Sequence, residues 1–139
     1  MQFVRDNSFI LWREEITKWL EDRGDTALDP TLKERDTRKD IILDVKKEEN
    51  IDLLRSMLRK EVISPDIQMV FDSDALIAYI DREKVYGTVA ELFLGYFLDK
   101  PCLVVYSIPR EKWSGWIIGL STEIFTNWED LKEYITDHY

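Results

Sequence analysis

Cysteine and histidine are nearly missing from this chain of 139 residues, which has one of each, Cys102 and His138. A lone thiol cannot close a disulfide within the chain, which points to a reducing compartment. One Cys and one His cannot supply the cluster of a zinc site. His138, next to last, is badly placed for a nucleophilic triad. Glycine is scarce as well, with five residues, and none belongs to a phosphate loop of the P-loop or dinucleotide type. No apolar run approaches the ~20 residues that cross a bilayer. The opening residues show no apolar stretch behind a basic start, as a secretory signal would. These absences lead us to expect a cytoplasmic location and no membrane partner. Basic charge is also in deficit. Nineteen Lys and Arg face 28 Asp and Glu, for a net charge of -9, which disfavours broad nucleic-acid binding through a basic footprint. The chemistry is therefore expected to rest on carboxylates and hydroxyls, with no metal or cofactor.

What is present is the composition of a soluble globular chain, 45% hydrophobic and 34% charged. Its length suits a single domain over residues 1–139 with a real core. Two unbroken apolar runs, residues 75–80 and 102–106, predict strands buried on both faces. Between them lie a polar loop and an apolar helix that starts at Gly87 and Thr88 and stops at Asp99, Lys100 and Pro101. Strand, loop, helix, strand is the unit of a parallel sheet. Residues 1–4, 26–28 and 116–120 read as three further short strands.

From Phe9 the apolar period becomes helical. Trp12, Ile16, Trp19 and Leu20 share one face and Arg13, Glu14, Glu15 and Lys18 the other, with Ser8 as cap and Gly24 as stop. Another helix begins near Asn50 and runs to about Lys60. Ser64, Pro65 and Asp66 predict a third start, as cap, first-turn proline and early acid. Thr126 to Glu129 has capping-box spacing and predicts a last helix with Leu131, Tyr134 and Ile135 inward. The densely charged residues 31–49 read as a solvated excursion, or as a lid over a site. The alternation implies an α/β fold, five strands in a mostly parallel sheet between helices.

Three acids stand out. Glu91 is the one charged residue on the apolar helix that leaves the end of the 75–80 strand, the end where open α/β sheets place their sites. The positive helix terminus would keep it ionised and available as a nucleophile, although a first-turns Glu also complements the dipole with no further role. Asp66 has the same two readings. Asp74 opens a strand, where its ordinary task is to accept backbone donors. Gly87 and Thr88 allow a ligand close to the backbone at the helix start.

Taken in order, Asp66, Asp74, the strand ALIAYI, Gly87 and Thr88, Glu91 and Leu92, and Lys100 with Pro101 form a spaced frame over residues 66–101. This frame resembles that of the nucleoside 2-deoxyribosyltransferases and their nucleotide N-glycosidase relatives. A weaker likeness runs from Trp12 and Arg13 to Asp29 and Pro30. The resemblance implies a flavodoxin-like three-layer sandwich. It implies that Glu91 attacks the anomeric carbon of a 2'-deoxynucleoside, that the base leaves, and that a second free base displaces the glycosyl ester by retaining double displacement. By it Asp66 is a second catalytic residue that handles a proton at the base. Asp74, Gly87 and Thr88 line the substrate, and a homo-oligomer, dimer or hexamer, completes the site.

The chain departs from the family's pattern at Val85, in its first loop, and near Ile118 and Gly119, where the Asn that supports the nucleophile from a neighbouring chain has no equivalent. Val85 stands where a second acid is common, and Asp81 and Glu83 are the acids the loop offers instead. The family's small-residue first loop is replaced by residues 3–8, in which Arg5 and Ser8 would be the candidates for holding a 5'-phosphate. Two alternatives follow: a hydrolase that cuts nucleoside 5'-monophosphates, and a nucleotide-binding module with no catalysis.

Overall fold

The computed structural model describes residues 8–28, 47 and 49–139. The chain divides into two compact units, Met1–Val62 and Ile63–Tyr139.

In the first unit, helix α1 spans Ser8–Asp22. Its faces follow the sequence pattern: Ile16 is buried, Trp12, Trp19 and Leu20 are half-buried, and Glu14, Glu15 and Lys18 are exposed. Arg13 is the exception to the expected polar face, because its guanidinium lies over the Trp12 ring at 4.8 Å. Gly24 stops the helix as expected. Its φ is +92°, and the Gly24 and Asp25 amides donate to the Glu21 and Leu20 carbonyls at 2.9 and 3.0 Å, a Schellman closure. Residues 26–28 form no strand, against expectation. Three residues carry too little pattern to specify pairing. Residues 1–4 and Arg5 lie outside the described residues, as does nearly all of the charged excursion at 31–49. Helix α2, Ile51–Leu58, starts where expected, with the Asn50 side chain accepting from the Asp52 and Leu53 amides.

A π-helical turn, Arg59–Ile63, follows α2 and leads into α3, Ser64–Asp72. Ser64 is therefore inside a helical run and not its cap. Pro65 has no N–H, and its ring crowds the carbonyl four residues earlier, so the widened turn relieves that contact.

The second unit holds a parallel sheet in the order β1-β2-β3, with β1 Leu76–Ile80, β2 Cys102–Tyr106 and β3 Glu123–Phe125. Between β1 and β2 runs α4, Tyr86–Phe97, and between β2 and β3 runs α5, Gly115–Leu120. The helix α6, Trp128–His138, follows β3. The fifth strand expected at residues 116–120 is thus a helix. A short apolar run has no period to separate the two states. The topology decides, since a second parallel strand after β2 needs a helical crossover. Ser114 supplies the start, accepting from the Trp116 amide at 3.2 Å. The protein is α/β with three described strands, not the five-stranded sheet.

The sheet buries both faces. Ala78, Ile80, Cys102, Val104 and Tyr106 face α4 and α5 through Leu92, Ile117 and Leu120. On the other face α6 packs on β2 and β3 and buries Leu131 and Ile135, with Trp128 stacked on Tyr79 at 5.5 Å. Each fully buried Leu, Ile or Val contributes about 2 kcal/mol. Right-handed crossovers put α4 and α5 on the same face. The cap of α6 is Asn127, which accepts from the Asp130 amide at 2.8 Å, one position along from the expected Thr126.

Candidate functional site

Helix α4 begins just past the carboxyl end of β1, as the sequence implies. Its first turn has no side-chain cap, so the orphan N–H groups there point at the space beyond the strands. Gly87 is exposed and Thr88 and Glu91 are half-buried. A Cβ on Gly87 would meet nothing within 4 Å, so the open space at this turn does not depend on the glycine. Glu91 lies in the second turn, on the flank between Leu92, which enters the core, and the exposed face that carries Ala90 and Phe93.

Asp66 is half-buried in the first turn of α3, and α3 packs along α4. The two acids therefore ride on neighbouring helices. Asp74 does not join them. It is exposed in the link between α3 and β1, at the amino end of a strand whose five residues set it roughly 15 Å from α4's start. Ser8 opens α1 in the first unit, and Arg5 is outside the described residues.

The loops at the carboxyl ends of β1 and β2 are held by an aromatic stack and by ion pairs of the loop acids. Tyr106 and Trp113 stack face to face at 4.6 Å. Arg110 lies over the Trp113 ring at 4.8 Å. The Tyr106 hydroxyl accepts from the Ser114 amide at 2.9 Å, and the Trp113 indole donates to the Ile108 carbonyl at 2.9 Å. The loop acids are engaged too. Asp81 accepts two bonds from Arg82, at 2.8 and 3.3 Å, and Glu83 lies 3.8 Å from Lys112. Trp113, in a charged loop seven residues past the end of the apolar run at Tyr106, is the sequence signal that marks this stack.

The end of the frame, Lys100 and Pro101, has a structural duty. Asp99 adopts a left-handed φ of 56°. The Asp99 and Lys100 amides donate to the Tyr96 and Gly95 carbonyls at 3.1 and 2.9 Å, closing α4 as a Schellman motif with proline just after. The Lys100 ammonium then donates to the Val70, Phe71 and Ser73 carbonyls at 2.5 to 2.6 Å. It adds a donor to carbonyls at and just past the end of α3, where Val70 also accepts from the Ser73 hydroxyl at 2.9 Å, and complements the helix's negative pole. Nearby, Gly95 permits contact with the sheet: a Cβ there would stand 2.9 Å from the Cys102 Sγ and 3.0 Å from Leu76.

A hollow of about 470 Å³ lies elsewhere on the second unit, between α4 and α5, lined by Tyr96, Gly115, Trp116, Gly119 and Leu120. Neither Glu91 nor Asp66 lines it. Among the described residues no helix is long and apolar enough to cross a membrane. No family model matches this chain, and neither a curated protein nor a solved structure shows significant similarity to it.

Proposed function

We infer that the chain is a nucleoside 2-deoxyribosyltransferase-like enzyme in which Glu91 is the nucleophile. The observation that carries this reading is the position of Glu91. It is a half-buried carboxylate in the second turn of the helix that leaves the carboxyl end of a parallel strand, beside an uncapped amino-terminal turn. In the reaction a Glu91 oxygen attacks C1' of a 2'-deoxynucleoside and the C1'–N bond breaks. The base leaves with the electron pair and takes up a proton, for which Asp66 is the donor on the adjacent helix. A second base then attacks C1' and returns its N–H proton to Asp66, the C1'–O ester bond breaks, Glu91 is restored as a carboxylate, and the new nucleoside keeps the β configuration.

The flavodoxin-like sandwich belongs to the same proposal. The Leu76 amide donates to the Pro101 carbonyl and the Ile80 carbonyl accepts from Ser107. The even positions of β1 thus face β2, and Ile77 and Tyr79 turn their backbone groups to the outer edge. Further strands at that edge are what the larger sheet requires.

One observation favours a second reading, a nucleotide-binding module without catalysis. The crevice end of β2 is occupied by the Tyr106, Trp113 and Arg110 stack, and the loop acids are paired with basic residues. Mass spectrometry after incubation with a 2'-deoxy-2'-fluoro nucleoside separates the readings. A sugar-sized adduct on Glu91, absent in Glu91→Gln, is expected of the enzyme. Ligand binding with neither adduct nor base exchange, unchanged in Glu91→Gln, would leave the binding module.

A further inference from the structure

Helix α3 is held at one end. Val70 is its one buried residue, and no side chain caps its amino end. At the carboxyl end the Lys100 ammonium donates to the Val70, Phe71 and Ser73 carbonyls at 2.5 to 2.6 Å. Lys100 stands three residues past the end of α4, and its amide closes that helix on the Gly95 carbonyl. One residue therefore finishes both helices. Their carboxyl ends meet at Lys100 and α3 packs along α4, so the two helices run parallel. Asp66 lies six residues before Asp72, the last of α3, and Glu91 lies six residues before Phe97, the last of α4. At a rise of ~1.5 Å per residue, each acid stands about 9 Å along its axis from the tied ends. The two acids are thus level.

We propose that Lys100 is a positioning residue for the glycosyl transfer: by tying α3 to α4 it keeps Asp66 level with Glu91, so that both acids serve one substrate. The inference rests on the reading of Glu91 as nucleophile. The base and C1' are one bond apart, so the proton donor and the attacking carboxylate must be placed together. A slip of one helical turn, ~5.4 Å, takes an acid out of hydrogen-bond reach. Lysine suits the task, because three donors on one nitrogen match three acceptors around one centre. Lys100 lies at the amino end of β2, away from the reacting atoms, and acts only through the helices it joins.

The leaving group supplies the test. When the C1'–N bond of a 2'-deoxynucleoside breaks, the electron pair goes to the base, which takes a proton from Asp66. A 4-nitrophenyl 2-deoxyriboside releases a stable phenolate and needs no proton, while Glu91 forms the same ester. Lys100→Met is expected to slow ester formation from the deoxynucleoside about a hundredfold, the size of a general-acid contribution, and to stay within about threefold of wild type on the nitrophenyl glycoside. Asp66→Asn should show the same pattern. Rates are taken per folded protein, counted by circular dichroism. If Lys100→Met does not fold, Lys100→Arg replaces it. The planar guanidinium cannot point at three carbonyls around one centre, so a smaller loss, again confined to the deoxynucleoside, is expected. Equal losses on both substrates, or none on the deoxynucleoside, overturn the proposal and leave Glu91 as nucleophile. A wild type that forms the ester from neither substrate overturns the nucleophile reading itself. The register is read without catalysis: nitroxides on Asp66→Cys and Glu91→Cys should give one narrow distance by double electron–electron resonance, which broadens when Lys100→Met is added. An unchanged distribution equally overturns the proposal.

Discussion

The two ends of the β1–α4–β2 unit are built on different principles. At the amino end of the strands, backbone and one cation do the work. Lys100 gathers three carbonyls from the end of α3, and Gly95 lets α4 sit on Cys102 and Leu76. At the carboxyl end, side chains hold the loops through ring stacking and ion pairs, and the first turn of α4 keeps its N–H groups uncapped. The difference teaches how to divide the spaced frame of residues 66–101. Its Gly87, Thr88 and Glu91 lie at the uncapped start of α4, while its Lys-Pro ending closes two helices.

Substitutions should separate the ends. The largest effect is expected from Glu91→Gln, which should lower base exchange at least about a thousandfold, or ~4 kcal/mol in the barrier. Its urea midpoint should change little, since the shape of the side chain is kept. Equal losses of activity and stability would erase the distinction between the two ends.

Next is Lys100→Met. Bonds from a charged donor contribute ~1.5–3 kcal/mol, and removal takes that donor from the Phe71 and Ser73 carbonyls, while Val70 keeps its bond from the Ser73 hydroxyl. A loss of about 3 kcal/mol in unfolding free energy is expected, read by urea denaturation followed by circular dichroism. A loss below about 0.5 kcal/mol would class Lys100 as an ordinary surface residue.

Gly95→Ala comes third. The added methyl overpacks the contact with Cys102 by about 1–3 kcal/mol, partly offset by the ~1 kcal/mol helical preference for alanine. Pairing it with Cys102→Ala should recover most of the cost, because the two groups share one space. Additive costs would show that the close approach is not the cause.

The smallest effect concerns the thiol. Burial pushes the Cys102 thiol above its ordinary value, so the folded state holds that proton more tightly than the unfolded chain does. The sign follows: this contribution is intact below the unfolded thiol pKa of ~8.5 and is lost as pH rises through the folded value. Iodoacetamide at mildly alkaline pH should spare Cys102 in the native protein and label it in urea. Rapid native labelling would mean that the amino end opens.

Much of the architecture was legible in the residues. The apolar runs at 75–80 and 102–106 became β1 and β2, Gly24 and Asn50 ended and began their helices, and Leu131 and Ile135 turned inward. The run at 116–120 misled because five residues carry too little period, and only the crossover between parallel strands makes it a helix. Residues 26–28 misled for the related reason that a strand exists by virtue of a partner. Of the candidate site, the place of Glu91, Gly87 and Thr88 at the helix start was legible, whereas the separation of Asp74 and the Tyr106, Trp113 and Arg110 stack were not. Those depend on which chain ends meet in space.

Local order along the chain determined where helices begin and stop and which strands are buried, because capping, chain stiffness and hydrophobic period act over a few neighbours. Tertiary structure alone decided that Lys100 serves a helix 27 to 30 residues away, that Phe97 and Trp116 stay outside the core, and that α5 is helical. Packing joins residues that are distant in sequence, and no short window of the chain carries that information.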